Sequence, residues 1–388
     1  MRAFPGRRKF IAVLGGGIVL AATGGGLWAA SRDPTRARIP WETAGEDPDP
    51  RRRALSFAIL APNPHNRQAW MADLGSPEAI TIFCDLERRL PHTDPFDRQT
   101  VIGLGCFLEL LVQAAAQDGY RAEVALFPEG EPQPTLDERP VAHIRLVEDA
   151  QVARDPLFAH VLARRSNKEA YDVGRTVDPA LLAQVARESR SSSIAHTSDL
   201  QRIDALRGQA WQAMLVELTT PETAKESIDL LRIGRAEIEA NPDGIDLPGA
   251  WPEALSLVGL LSKETMLDPE STTFKQQLPI LKKPFDTAMA FLWQTTPGNT
   301  RINQIAAGRD YVRLNLAATG HGLAMHPLSQ ALQEYPEMRP YHQAIRTALG
   351  VDASETLQMF VRLGYGPDAK ARPRWPHDTR VLEVPGQS

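Results

Sequence analysis

Three polar stretches of this 388-residue chain carry side chains that could bind a small charged molecule. The first is APNPHNRQAW, residues 61–70, where His65, Asn66, Arg67 and Gln68 follow two prolines. Because proline fixes its own φ and restricts the residue before it, this stretch is predicted to be a stiff loop. A stiff loop rich in imidazole and amide groups suits a planar ligand with a polar edge.

The other two stretches are basic. ARRSNKEAYD, residues 163–172, contains Arg164, Arg165, Ser166 and Lys168. LGYGPDAKARPRWPHD, residues 363–378, contains Lys370, Arg372 and Arg374 between prolines. Such groups suit a phosphate, because charge-assisted hydrogen bonds contribute about 1.5–3 kcal/mol each. The alternatives are a solvated helix end for the first stretch and a disordered tail for the second.

Other chemical signatures are missing from the sequence. It contains no G-x-S-x-G, H-E-x-x-H or C-x-x-C motif, and His321 and His326 are a weak metal pair. Cys84 and Cys106 fit no metal motif; Cys106 is interpreted as a buried thiol, with pairing between the two as the alternative. The net charge of −5 gives no reason to expect a nucleic-acid partner.

The elements around these stretches indicate an α+β protein. AITIFCDL, residues 79–86, has the composition of a strand. A long helix is predicted from an N-cap at Asp97 to about Asp118, with Gly119 as its stop signal. A further helix is predicted over FAHVLARR, residues 158–165, and LQMFVRLGYG, residues 357–366, is predicted to be a strand.

The chain contains a weak internal echo. Residues 105–120 and 308–323 align without a gap, so that Gly105 matches Gly308 and Gly119 matches Gly322. In both copies a helix ends in glycine and leads into a short strand. The echo suggests a duplicated α+β unit, with two halves that pack like a dimer within one chain, and the length also suggests two structural units.

The N-terminal residues resemble an export signal. Arg7 and Arg8 precede an uncharged run over residues 10–30, as in a twin-arginine signal. The run could instead span about 30 Å of hydrocarbon as a helix, and an uncleaved signal would serve as such an anchor. We therefore assign residues 1–31 to a signal or anchor, and residues 32–50, rich in proline and charge, to a linker.

Four motifs resemble those of the flavin-dependent nitroreductase superfamily and follow the same order along the chain. They are APNPHNRQAW, ARRSNKEAYD, GHGLAMHPLSQAL (residues 320–332) and LGYGPDAKARPRWPHD. The similarity is to the exported or dormancy-associated branch, whose single chain holds two nitroreductase-like halves. It implies a mixed or antiparallel central sheet flanked by helices. The halves would be residues 51–155 and 156–388, fused as a pseudo-dimer, with a lid insertion at 241–284.

The resemblance also implies FMN as cofactor and a role for each matching residue. Asn66, supported by Gln68, would meet the polar edge of the ring, and His65 would orient the loop. The residues expected at the phosphate and ring edge are Arg164, Arg165, Ser166, Lys168, Arg372 and Arg374. Those expected against the ring face are Pro327, Leu328 and Ser329. Lys168 replaces the arginine usual in the family, which keeps the charge but loses bidentate geometry.

The function expected from this resemblance is that of an exported, periplasmic FMN-dependent oxidoreductase. The flavin would transfer hydride or electrons to an acceptor that the sequence does not identify, and no dedicated acid or base is required. Because the periplasm holds little NAD(P)H, the alternative is a protein that sequesters FMN with little redox turnover. The expected partners are the twin-arginine export machinery and a small molecule. A monomer is expected because the halves would imitate a dimer, with a homodimer as the alternative.

Overall fold

The computed structural model describes residues 31–259 and 261–382. The interpreted export signal, apart from Ser31, lies outside these residues. The described part contains two four-stranded antiparallel sheets and one two-stranded parallel sheet. Helices flank the sheets, so the predicted α+β class with antiparallel sheets is confirmed.

The two large sheets have the same connectivity. The first sheet has the order β1-β2-β4-β3. Its strands are β1 (Trp70–Asp73), β2 (Ala79–Cys84), β3 (Tyr120–Leu126) and β4 (Ala142–Glu148). The second sheet has the order β5-β8-β10-β9. Its strands are β5 (Ser193–Thr197), β8 (Ala290–Pro297), β9 (Ala324–Pro327) and β10 (Glu355–Gly364). The small sheet pairs β6 (Leu231–Ile233) with β7 (Ile245–Leu247).

Twelve α-helices occur in the described residues, and two of them occupy equivalent places. The first six are α1 (Ile39–Glu42), α2 (Pro50–Ala58), α3 (Arg98–Gln117), α4 (Pro179–Ala186), α5 (Leu200–Thr219) and α6 (Pro221–Asp229). The others are α7 (Gly234–Ala240), α8 (Ala250–Leu257), α9 (Lys263–Leu267), α10 (Thr272–Asp286), α11 (Arg301–Gly320) and α12 (Arg339–Leu349). Helices α3 and α11 each have 20 residues, and each connects the second and third strands of its sheet.

Helices α3 and α11 cross at the two glycines of the sequence echo. A Cβ on Gly105 would lie 2.3 Å from the carbonyl oxygen of Ile305, and one on Gly308 would lie 2.0 Å from that of Ile102. Both distances are far below van der Waals contact, so only glycine permits this approach of the two backbones. Cys106 is a free buried thiol that donates to the carbonyl of Gly308 at 3.1 Å.

The first residue of α3 and that of α11 each extend a side chain to the opposite sheet region. Arg98 is buried and donates to the carbonyls of Gln358, at 2.9 Å, and Leu332, at 2.6 Å. Arg301, its equivalent, is buried and donates to the carbonyls of Pro132 and Pro134. These reciprocal bonds hold the two sheet regions together at both ends of the helix pair.

Helix α3 is also the one described helix long and apolar enough to cross a membrane. Almost all of its side chains are buried between the two sheets and α11, so it serves as the central helix of the core. The second sheet is covered on both faces, because the other face of β8 and β10 packs on α5 and α12 through Phe291 and Phe360.

Three local predictions are wrong. Residues 32–50 do not form a linker: they include α1, and Trp41 is buried against the basic segments. FAHVLARR forms only a short 3-10 helix, Pro156–His160, because the chain then turns into the core. Asp97 precedes α3 as predicted, but it has φ +58° and its carboxylate accepts hydrogen bonds from Arg89 and the Leu136 amide instead of capping the helix.

Candidate functional site

The loop at residues 63–68 has an unusual backbone. His65, Asn66 and Gln68 have φ values of +45°, +52° and +53°, in the left-handed region that residues other than glycine rarely adopt. Such residues cost about 1–3 kcal/mol each and are concentrated at functional sites. The Asn63 side chain stabilises the turn, because its Oδ1 accepts a hydrogen bond from the backbone N–H of Gln68 at 2.8 Å.

The two amides predicted at the flavin edge tie this loop to distant segments. Gln68 is fully buried; its Nε2 donates to the carbonyl of Pro242 at 2.8 Å and its Oε1 accepts from the Trp375 amide at 2.9 Å. Asn66 Nδ2 donates to the carbonyl of Pro373 at 3.0 Å, and its Oδ1 accepts from Arg374 at 2.6 Å. Gln68 therefore positions the loop, whereas the half-buried Asn66 retains one donor and one lone pair for a ligand.

Arginines from the two basic stretches meet beside this loop. Arg164 and Arg374 are both buried, and each donates from Nη2 to the carbonyl oxygen of Leu60, at 2.7 and 3.1 Å. Both guanidinium groups and that of Arg165 surround the Trp41 ring, at 5.7, 5.5 and 4.6 Å from its centroid. The tertiary structure thus places residues that are 210 positions apart around one indole.

These three arginines and Arg372 form an arginine cluster that has more N–H donors than acceptors. Within the described part of the chain, no carboxylate forms an ion pair with Arg164, Arg165 or Arg374. Five of the cluster's buried N–H groups have no acceptor: Arg164 Nε and Nη1, Arg165 Nε, Arg372 Nε and Arg374 Nε. Burial lowers the pKa of Arg164 and Arg374, but a guanidinium remains protonated at neutral pH. Because unpaired buried cations are costly, the cluster fits an anion with several oxygens, such as a phosphate.

Arg372 is the member of the cluster that has a counter-charge. Its Nη1 donates to both oxygens of Asp246, on β7, at 3.2 and 3.0 Å. The same segment contacts the loop directly, because the backbone amide of Gly244 donates to the carbonyl of Asn66 at 3.3 Å. The region interpreted as a lid insertion therefore begins in contact with the loop and with one arginine.

Lys168 and His326 lie beside Arg372. Lys168 is accessible to solvent, yet burial lowers its pKa to about 8, and repulsion from Arg372 adds to this effect. His326 Nδ1 accepts from Arg362 Nε at 3.1 Å, which assigns the proton of the neutral ring to Nε2. Burial, with Arg362 and Lys168, lowers the pKa of His326 well below its usual value.

His65 faces a buried carboxylate that the sequence did not indicate. Its Nε2 lies 3.7 Å from Glu217 Oε1, on α5. Glu217 also accepts hydrogen bonds from Gln333, at 2.8 Å, and Ser227, at 3.1 Å. Burial alone would raise the pKa of Glu217, but these bonds and the His65 contact hold it below its usual value, so the carboxylate is ionised at neutral pH.

The predicted ring-face residues differ in how deeply they are buried. Pro327 ends β9 and is half-buried. Leu328 packs in the apolar cluster with Phe291 and Phe360, and Ser329 Oγ is buried 3.5 Å from the carbonyl of Phe360. Ser166 is half-buried beside the Tyr311 hydroxyl. The roles predicted for these four residues stay predictions.

Sequence reasoning missed four residues of this region: Trp41, Glu217, Asp246 and His326. Only His326 had a signal, since it lies in the motif GHGLAMHPLSQAL and directly precedes the predicted ring-face residues Pro327–Ser329. Trp41 lay in a segment interpreted as a linker. Glu217 and Asp246 lie in a helix and a short strand whose local sequences carry no binding motif, so only their packing brings them to the loop.

Comparisons with known proteins show similarity to nitroreductases. No protein-family model matches the chain. It is 26% identical over 317 residues to a Mycobacterium tuberculosis protein named "Putative NAD(P)H nitroreductase", and the alignment covers 81% of this chain and 85% of that protein. It is 31% identical over 100 residues to an uncharacterized protein of the same species, over 24% of this chain and 29% of the other.

Solved structures give weaker matches. The FMN-dependent nitroreductase of Mycobacterium smegmatis in complex with NADPH is 19% identical, with 53% of this chain and 85% of that chain covered and a TM-score of 0.33. A Bacteroides fragilis nitroreductase with bound FMN is 14% identical, with 60% and 98% covered and a TM-score of 0.33.

Proposed function

We propose that this chain is an exported FMN-binding oxidoreductase of the nitroreductase superfamily. The observation that carries the proposal is the cluster of buried arginines with unfilled N–H donors beside the strained loop at residues 63–68. A phosphate would satisfy these donors, and the loop would lie beside the attached ring. The names of the similar proteins, which include NAD(P)H and FMN-dependent nitroreductases, support the same conclusion.

Each part of the region has a distinct task in this proposal. Arg164 and Arg374 would hold the phosphate, with Trp41 behind them. Asn66 and Lys168 would bind the polar edge of the ring, and His326 would present its Nε2–H to the ligand. FMN supplies the redox chemistry, because it accepts a hydride or single electrons and passes them to an acceptor. The protein supplies binding, orientation and a positive field.

The direct test is an absorption spectrum of the purified full chain, with the released ligand identified by mass. We expect a yellow protein with flavin bands and one FMN released per chain. A colourless protein that FMN does not load, although its circular dichroism shows the folded state, would contradict the proposal. If the protein is purified without its cofactor, the flavin bands should return when FMN is added.

One observation favours sequestration as a second candidate function. The segment at residues 242–247 contacts the loop through the Pro242 carbonyl and the Gly244 amide, and Asp246 pairs with Arg372. A segment so placed would restrict access to the ring. Anaerobic mixing with NAD(P)H, and separately with dithionite, tests this access: a ring that is open to a donor is reduced by both, whereas a ring that the segment covers is reduced only by the small dithionite ion.

The pH dependence of FMN binding tests the position of Lys168. Its pKa of about 8 in the free protein means that it loses its charge as the pH rises through that value. FMN should therefore bind more weakly at high pH, with a dissociation constant that rises roughly 5–10-fold between about pH 7.5 and 9.5. Fluorescence titration of FMN measures this constant at each pH.

Two variants serve as controls. Lys168→Arg keeps the charge over this range, so its dissociation constant should remain nearly constant with pH. Lys168→Gln should bind FMN weakly at every pH. If Lys168→Arg shows the same pH dependence as the unmodified chain, another group titrates and Lys168 is not at the ligand.

The organisation and location of the chain are also proposals. The shared strand order of the two sheets and the Gly105–Gly308 crossing support two fused halves in a monomeric pseudo-dimer, with the boundary near residue 155. The paired Arg7 and Arg8 and the uncharged residues 10–30 support export through the twin-arginine machinery, with residues 1–31 retained as a membrane anchor.

A further inference from the structure

Helix α8 and the residue directly after it carry large apolar side chains that are exposed. Trp251, Leu257 and Val258 are 73%, 77% and 68% exposed. Trp251 and Val258, the residue directly after α8, are seven residues apart, with the half-buried Ala254 and Leu255 between them, so they continue one apolar stripe at helical spacing. Leu257 lies about 120° around the helix from Trp251 and is not part of this stripe. In a globular protein such a stripe faces the core, and an exposed one indicates an interaction surface.

The polar side of the same helix faces the protein. Glu253 Oε1 pairs with Arg32 at 3.0 Å, and its Oε2 accepts from the Arg235 amide at 3.2 Å. The Glu253 side chain also packs on Gly234, where an added Cβ would lie 2.8 Å from its Cγ. The helix is therefore fixed by its charged residue with its apolar stripe directed away from the protein.

The described chain begins beside this helix. The carbonyl of Ser31 accepts from Arg235 Nη1 at 2.9 Å, and the next residue, Arg32, pairs with Glu253 of α8. The residues immediately before Ser31 are the uncharged run 10–30. The point where this run joins the folded part is thus held against the helix that bears the exposed stripe.

We propose that the exposed apolar stripe of α8, formed by Trp251 and, just after the helix, Val258, lies on a phospholipid bilayer. A membrane anchor that ends at Ser31 would keep α8 close to the lipid. A helix with an apolar stripe and a tryptophan is suited to the interface between headgroups and acyl chains. This inference rests on the proposed membrane anchor and not on the flavin site.

The contact would also act on the candidate site. Strand β7 ends at Leu247 and α8 begins at Ala250, so only two residues separate the strand that carries Asp246 from the proposed membrane face. A bilayer that fixes α8 would fix the segment that contacts Arg372 and Asn66.

A site-specific fluorophore tests the proposal. Because Cys84 and Cys106 are buried, a surface cysteine can be labelled selectively with the environment-sensitive dye NBD. Val258→Cys is compared with Val173→Cys, a valine of similar exposure, 61%, in a loop outside α8. Each full chain is reconstituted into phosphatidylcholine–phosphatidylglycerol vesicles, with and without spin-labelled lipid, and flotation measures attachment.

The expected result is flotation of both chains, with blue-shifted emission at position 258 that spin-labelled lipid quenches roughly twofold or more, and no quenching at position 173. Flotation without quenching at position 258 would overturn the inference while the anchor stands. Failure to float would overturn both. A blue shift that persists without vesicles and resists spin-labelled lipid would mean that a second copy or the N-terminal segment covers α8, which also overturns the inference. None of these outcomes bears on FMN binding.

Discussion

Replacing Arg164 with methionine is expected to abolish FMN binding while the protein without ligand stays folded. Arg164 has two buried N–H groups without acceptors, which the proposed phosphate would use. Loss of two charge-assisted hydrogen bonds at about 1.5–3 kcal/mol each should weaken binding by roughly 10²- to 10⁴-fold. Fluorescence titration with FMN measures the loss.

The stability of the same variant is expected to change little, or to increase. A buried cation without a counter-charge is replaced by an apolar side chain of similar length, and such replacements are often neutral or stabilising. The carbonyl of Leu60, which accepts from Arg164, keeps its bond from Arg374. Urea unfolding of the ligand-free protein should therefore give a free energy of unfolding within about 1 kcal/mol of the unmodified chain.

Arg202→Met is the matched control. Arg202 also stacks on a tryptophan, Trp293, at 4.9 Å and donates to a backbone carbonyl, that of Ala348. It lies on α5 and is not part of the arginine cluster, so its loss should leave FMN affinity unchanged. If Arg164→Met unfolds the protein, or binds FMN as well as Arg202→Met does, then Arg164 has a structural role and the phosphate belongs elsewhere.

Replacing Gly308 with alanine is expected to have the largest effect on stability. The new Cβ would lie 2.0 Å from the Ile102 carbonyl oxygen and 2.9 Å from the Gly105 Cα. These are backbone atoms of a buried helix, so no flexible side chain can move aside. The helices must separate, which should cost about 4 kcal/mol or more and leave little native protein. The midpoint and slope of urea unfolding measure the change.

Gly208→Ala provides the comparison. Gly208 also lies within a 20-residue helix, α5, but a Cβ there would meet nothing within 4 Å. The same substitution should therefore stabilise the protein by about 0.5–1 kcal/mol, because alanine favours the helix. A Gly308→Ala variant as stable as Gly208→Ala would show that α3 and α11 do not pack as closely as described.

The sequence alone determined the elements that depend on local patterns. The β-branched and aromatic content of residues 79–86 predicted β2, and Gly119 marked the end of α3, because strand propensity and helix stops are properties of short segments. The ungapped echo pairs Gly105 with Gly308, the two glycines at which α3 and α11 cross. The polar stretches also identified Arg164 and Arg374 as candidates for one anionic ligand.

The tertiary structure alone decided how these residues are used. Trp41 looked like part of a linker because its proline-rich neighbours carry no helical pattern, yet three arginines from distant segments surround it. Asn66 and Gln68 looked like ligand-binding amides, but most of their hydrogen bonds go to residues 242 and 373–375. Local patterns predict elements, whereas the partners of a buried polar group are set by segments hundreds of residues away. Only the packed fold shows which donors remain for a ligand.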